Sequence, residues 1–420
     1  MKKTIKLAVV AALALGTTSA FATNGSNLIG MGAKARGMGG VGIGMSHGAE
    51  SGLSNGALIT SVEGTEISFG GTFFMPKVKA DMGAGFSESA ADLSVIPEVS
   101  IASKITDNFY MGVGMWGTAG MGVDYRDETG YTANMNMVTN LQLMQFGVPL
   151  AYKTNGLSIA VTPLLQDGAL DINYKDPSNT QAGYTGTGAG VSQDLKFGYN
   201  LGAAYEISGF TVGAMYKSKI DMEYKGQLSS ATQPFVAGGV FPSAMDDKLS
   251  TPAEMGVGVS YNMEGHTIAA DYKKISWSSA KGYEDFNWED QNVLALGYQY
   301  DAKDWAVRIG YNYASNPISD AGAITLAEFM TADGTNPQMF GGNAINTFNL
   351  LGFPATVESH ITVGGTYKLS KSASVDLAYA YAPETTTTLA TMPDMTNGVD
   401  GETTVKHSQS SVSAQVNFKF

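Results

Sequence analysis

The sequence predicts an all-β protein, a transmembrane β-barrel of about fourteen antiparallel strands with an N-terminal plug in its lumen. Three observations predict it. From Thr65 onward apolar residues recur at every second position. The connections between those segments alternate strictly between short and long. After an N-terminal export signal, no stretch holds the 18 consecutive apolar residues of a membrane helix, so strands must do any crossing. The chain divides accordingly into a signal peptide (1–22), a plug or hatch (23–60) and a barrel (61–420).

Lys2, Lys3 and Lys6 precede a short apolar run at 7–16, and Ala20-Phe21-Ala22 supplies a small-x-small cleavage site. Removing those lysines takes the net charge of −13 to about −16. Such acidity excludes nucleic acid as a partner, since that needs a basic footprint. The absence of cysteine excludes disulfides, thiolate catalysis and Cys-based zinc sites.

Residues 23–60, TNGSNLIGMGAKARGMGGVGIGMSHGAESGLSNGALIT, are glycine-rich and nearly uncharged. Their small side chains allow close backbone approach, and their number is about what a wide lumen needs to be filled. A disordered tail is the alternative.

Alternation is clearest in the last strand, where Val412, Ala414, Val416, Phe418 and Phe420 interleave with Ser411, Ser413, Gln415, Asn417 and Lys419. Successive strand side chains face opposite ways, so each segment has one apolar and one polar or small face. Strands are expected at 65–74, 93–105, 109–121, 141–153, 157–175, 197–207, 210–228, 249–263, 266–277, 288–301, 305–314, 358–369, 373–382 and 405–420. Short turns at 106–108, 154–156, 208–209, 264–265, 302–304 and 370–372 alternate with long loops at 75–92, 122–140, 176–196, 229–248, 278–287, 315–357 and 383–404. A soluble sandwich has no reason to sort its loops by parity, whereas a barrel with periplasmic turns and extracellular loops does. Tyrosines near strand ends (Tyr298, Tyr300, Tyr311, Tyr313, Tyr379, Tyr381) suit interfacial girdles.

The third strand differs from the rest. Gly112, Gly114, Gly117, Gly120 and Gly122 interrupt its alternation around Trp116. Glycine in a strand marks a bulge, a bend or close backbone approach, so Gly114, Gly117 and Gly120 are candidates for a kink, or for making room for the plug. Two loops carry more apolar side chains than a hydrophilic pore needs: Phe235 and Phe241 in 229–248, and Phe340, Phe348 and Phe353 in 315–357. They predict an external apolar landing site, from which a path runs past Leu28, Ile29 and Met31 toward Trp116. Loops packing on one another is the competing reading.

The segment LIGMGAKARGMGGVGIGMSHGAESGLSNGALIT resembles the N-terminal hatch of the outer-membrane long-chain fatty-acid and aromatic-hydrocarbon transporters, the FadL/TodX-like family. Strand number, loop parity and the terminal Phe420 agree with that resemblance. It implies a monomeric fourteen-stranded barrel in the cell outer membrane, among outer-membrane lipid and lipopolysaccharide. It further implies an inward kink of the third strand, through which hydrophobic small molecules (fatty acids or hydrocarbons) leave sideways by passive diffusion. The family's Asn-Pro-Ala hatch motif aligns with Asn55-Gly56-Ala57; Gly56 in place of proline implies a looser turn. Arg36 falls where relatives carry arginine, which implies a bond between plug and barrel.

No catalytic, cofactor or metal site is expected. Gly37-x-Gly39-x-x-Gly42 matches a dinucleotide fingerprint only as a string, because no βαβ unit surrounds it. His47, His266, His360 and His407 are scattered without metal-ligand spacing. Loop acids such as Asp124, Asp127 and Glu128 suit divalent ions or solvated charge alike. Arg308 and Lys273 are candidate inward cations for a carboxylate, but with no lumenal arginine cluster neutral hydrocarbons stay open as cargo. A general porin or an adhesion or phage-receptor barrel is the alternative function, and an outer-membrane hydrolase with a Ser–His pair is a third.

Overall fold

The computed structural model describes residues 24–126, 133–175, 186–332 and 334–420. The signal peptide, Asp127 and Glu128 lie outside the described residues.

Fourteen antiparallel strands close on themselves. They are β1 (Thr65–Asp81), β2 (Ser94–Lys104), β3 (Phe109–Asp124), β4 (Val138–Gly147 and Leu150–Thr154), β5 (Leu157–Tyr174), β6 (Ser192–Ile207) and β7 (Phe210–Lys217). The ring continues with β8 (Glu254–Met263), β9 (His266–Ile275), β10 (Gln291–Asp301), β11 (Trp305–Ala314), β12 (Ser359–Ser370), β13 (Ala373–Asp394) and β14 (Val399–Lys419). The seam runs from Glu66 opposite Lys419 to Asp81 opposite Thr404. No backbone edge is left at that junction, as a hydrocarbon surrounding requires.

One rim is made of tight turns. Asn155-Gly156 and Ser208-Gly209 both take positive φ at their two central residues, the turn whose twist matches paired strands. The other rim carries the loops. The outer wall is an exposed apolar belt, including Val257, Ile268, Val307 and Ile361. The inner wall buries Ser68, Thr72, Ser411, Ser413, Gln415 and Asn417. That polarity is the reverse of a soluble core and suits lipid outside.

Several expected boundaries move; β1, expected to end at 74, runs on to Asp81. Residues 383–404, expected as a loop, extend β13 and β14 into a paired hairpin. Pro383 reads as a breaker, but the register simply shifts between Ala382 and Thr385. Beyond it, β-branched threonines pair across the ladder, Thr388 with Thr404 at 2.8 Å and Thr391 with Thr403 at 3.0 Å. In the opposite sense, β7 stops at Lys217 instead of 228 and β8 starts at Glu254 instead of 249. Between them only the bridges Ile220–Thr251 and Glu223–Lys248 remain, because Pro252 removes a ladder donor there.

Residues 24–64 sit within the ring and are almost wholly buried. They form two short helices, α1 (Gly32–Arg36) and α2 (Ser51–Ser54), and a 3-10 turn at Gly56–Ser61. Three loop helices, α3 (Leu228–Ala237), α4 (Leu326–Ala332) and α5 (Gly341–Gly352), lie on the loop side.

Candidate functional site

Plug and wall meet backbone to backbone, which requires that the wall residue at the contact lack a side chain. A Cβ on Gly310 would lie 2.0 Å from the Gly39 nitrogen, and one on Gly213 would lie 1.8 Å from the Ile43 oxygen. Strand glycines therefore mark the plug's seat. Polar wall residues then bond several of the plug's buried amides. Asp271 on β9 accepts N–H bonds from Gly42 at 2.6 Å, Ile43 at 2.7 Å and Gly44 at 3.2 Å. Gln415 accepts from Ala33 and Thr362 from Gly39.

Arg36 is buried and its guanidinium forks onto both carboxylate oxygens of Glu98 on β2, with a further bond to Thr72 at 2.6 Å. Asn55 donates to the Ile43 and Ala203 carbonyls at 2.9 and 3.0 Å and accepts from the Ala57 amide at 3.2 Å. Gly56 is pressed on β5, where a Cβ would lie 2.8 Å from Thr162 Oγ1. The turn at Asn55-Gly56-Ala57 is thus tied by the Asn55 side chain, without a proline ring. Within α1, Lys34 lies 2.9 Å from Glu50, 3.7 Å from Asp376 and 3.9 Å from Glu66. Burial alone pulls the Lys34 ammonium down, but these three carboxylates outweigh it and leave it raised.

The wall is broken at one place. β2 and β3 pair from Lys104–Tyr110 up to Glu98–Trp116 and no further. Above that, β2 continues on β1, while β3 continues on β4 after a register shift between Gly117 and Ala119. An extra residue in one strand bends it. Beyond the bend every residue from Trp116 to Val123 is buried, with no alternation left. The edge that β3 turns away from β2 is taken up by the plug: Leu28 donates to the Thr118 carbonyl at 3.2 Å, and the Gly120 amide donates to the Ser26 carbonyl at 3.0 Å. A backbone bond from β3 back to this side of the wall comes at Ala90, which donates to the Asp124 carbonyl.

The three glycines singled out on β3 have different tasks. Gly114 underlies the Trp116 ring, since a Cβ there would sit 1.9 Å from Cζ2. Gly117 lies at the bulge beside Ile96, and Gly120 bonds the plug. Gly114→Ala is accordingly expected to destabilise the barrel by about 3 kcal/mol through overpacking. A changed near-UV circular dichroism signal and a lowered melting temperature would record it.

Leu28, Met31, Leu53, Phe74, Ile96, Trp116 and Leu164 pack as one apolar cluster on the inner side of the break. Leu28, Met31 and Trp116 were expected together from sequence; Ile96, Phe74 and Leu164 were not, because nothing in a period-two strand tells which inward residue meets the plug. Ile29 lies between two cavities. One, of about 40 Å³, faces Ile43, Met215 and Val293. The other faces Phe74, Ile96 and His360.

Lys273 borders the larger cavity with Lys217. Both are already engaged, at 3.5 and 3.6 Å from Glu254 Oε2, and Asn27 donates to Glu254 Oε1 at 3.0 Å. Arg308 faces inward too, but it bonds Gln299 and stands 3.6 Å from Asp376. The histidines are engaged structurally: His47 on the Val41 carbonyl, His266 on Tyr298, His360 on Gln409 and His407 on the Pro354 carbonyl.

The loop phenylalanines differ from the exposed patch expected of them. Phe241, Phe340, Phe348 and Phe353 are buried. Phe235 links them, with ring centroids 5.6 Å from Phe241 and 5.3 Å from Phe348. The cause is α5, which drops Phe348, Leu350 and Leu351 into the mouth against Trp277, Tyr283 and Trp288. The loops therefore pack on one another, and their apolar residues form a continuous inner file above the plug.

A family model described as "Outer membrane protein transport protein (OMPP1/FadL/TodX)" matches residues 7–326. The 47 kDa outer membrane protein of Pasteurella multocida is 23% identical over 371 residues, covering 78% of this chain and 79% of that protein. A Pseudomonas aeruginosa FadL homologue shares the fold with a TM-score of 0.71 at 14% identity, over 94% of this chain and all of the other. The Pseudomonas putida toluene transporter TodX superposes with a TM-score of 0.65 at 18% identity, over 94% and 99% of the two chains.

Proposed function

The chain belongs to the outer membrane protein transport family (OMPP1/FadL/TodX), and from that premise we propose that it is a passive, monomeric channel for hydrophobic molecules with a sideways exit into the membrane. Cargo enters among the loop phenylalanines, settles in the cavity beside Ile29, passes the Leu28–Ile96–Trp116 cluster and leaves between β2 and β3. The reading rests above all on the break in the wall above the Glu98–Trp116 pair, where β3 turns inward and its freed edge is bonded to the plug.

The physical chemistry suits such a route. Straight passage down the lumen is blocked by a plug bonded to the wall on several sides, whereas the break leads into hydrocarbon. Transferring a methylene from water to an apolar site gains about 0.8 kcal/mol, so a ladder of apolar sites ending in lipid needs no energy source. Long-chain fatty acids and aromatic hydrocarbons are the cargo classes that the family suggests. Among the described residues the cavity lysines already share Glu254, which favours cargo without a full negative charge.

Deletion of the gene is expected to slow uptake of a radiolabelled aromatic hydrocarbon, with recovery on re-expression. Unchanged uptake in a strain without a paralogue would count against the proposal. Swelling of vesicles in small sugars would point to a porin instead.

A further inference from the structure

The smaller cavity beside Ile29 and Ile96 contains His360 on β12, with Gln409 of β14 next to it. Both are buried, as is His407. Their hydrogen bonds form one file whose direction is set at its far end. The Pro354 carbonyl can only accept, so His407 carries its proton on Nδ1 and donates to it at 2.8 Å. That leaves His407 Nε2 as an acceptor, and Gln409 Nε2 donates to it at 3.1 Å. The other end of the amide is then Oε1, which accepts from His360 Nε2 at 3.2 Å. Turning the amide over would require a second proton on His407, a buried cation with no carboxylate beside it, which costs far more. With its one proton on Nε2, neutral His360 presents a bare lone pair at Nδ1, and among the described residues that atom has no partner.

A buried acceptor without a donor costs about 1–3 kcal/mol, yet the rest of the file is satisfied. We propose that His360 Nδ1 is a recognition point for cargo: the cavity, about 10 Å³, admits the hydroxyl of a hydrophobic molecule bearing one O–H donor, of the alkanol or phenol class, whose alkyl or aryl part extends past Leu28 and Ile29, which line both cavities. This deepens the transport reading and rests on it. The site stands one side chain from the break in the wall, since Ile96 lines the cavity and also lies against Gly117. An alcohol would be held here just before its release into the membrane.

Hexan-1-ol, 1-methoxypentane and heptane have the same number of heavy atoms and differ in donor and acceptor alone. Their binding to the full mature chain in nanodiscs, measured by calorimetry against empty nanodiscs, isolates the donated bond. The alcohol is expected to bind roughly tenfold more tightly than the ether, the size of one net buried hydrogen bond. His360→Phe is expected to bring the alcohol down to the ether's affinity while leaving ether and heptane within about twofold. Equal affinities of alcohol and ether in the unaltered chain overturn the proposal without any variant, and so does an alcohol preference that survives in folded His360→Phe. Absence of binding by all three compounds, heptane included, would instead count against the transport reading on which this one stands.

Discussion

Stapling β2 to β3 is expected to stop uptake while leaving the barrel intact. A Cβ placed on Gly117 lies 3.8 Å from the Cβ of Ile96, the usual separation across a disulfide. The chain contains no cysteine, so an Ile96→Cys, Gly117→Cys double variant can form only this bond within one molecule. Replacing Ile96 also removes the methyl that a side chain at Gly117 would strike at 2.7 Å. Under oxidising conditions uptake of hydrophobic cargo is expected to fall at least about tenfold, because the moving step at the wall is then locked. Reductant is expected to restore it. Each single variant serves as the control for lost packing. Full uptake with the disulfide formed, judged by mass spectrometry, would show that cargo does not leave between these strands.

The second large effect concerns the plug. Asp271→Ala removes the acceptor of three amides at once, those of Gly42, Ile43 and Gly44. Each is buried against the wall and loses a charged acceptor, so the loss is about 3 kcal/mol. The damage falls on the plug's seat, because β8, β9 and β10 keep their ladders through backbone bonds alone. The variant is therefore expected to retain the heat-resistant mobility of a folded barrel on gels. Vesicles containing it are expected to swell in small sugars, while vesicles containing the unaltered chain do not. Asp271→Asn keeps one acceptor oxygen and should leak less. A tight Asp271→Ala barrel would mean that the remaining anchors, Arg36–Glu98 among them, suffice.

Much of this architecture was legible in the chain because the governing signal is local and periodic. Strands such as Trp305–Ala314 declare themselves by alternation, and turns such as Ser208-Gly209 by residues that tolerate positive φ. Pro383 misled because a proline inside a hairpin was read as the end of one, when the threonines beyond it keep pairing. The loop phenylalanines misled for a different reason: composition shows that they are apolar, but only α5 packed in the mouth shows that they are covered.

At the site, Arg36 could be singled out because the family resemblance places an arginine there, and Trp116 because a tryptophan among strand glycines is unusual on its own. Glu98 and Asp271 were as visible, as single carboxylates on otherwise small or polar inward faces, but their partners are plug atoms distant in sequence. His360 showed in the sequence only as one of four scattered histidines. Its importance comes from the direction of a hydrogen-bond file that joins β12, β14 and the carbonyl of Pro354.

The bonds that seat the plug reach from β2, through Glu98, to β14, through Gln415, the latter accepting from Ala33 across 382 positions of sequence. The cylinder's final seam joins β1 to β14. A segment gripped from both sides of a seam is hard to push in after it is sewn, since even a Cβ added to Gly37 would lie only 3.0 Å from the Gly364 Cα. The plug is therefore expected to wait in place, like a mandrel, until the last strand arrives.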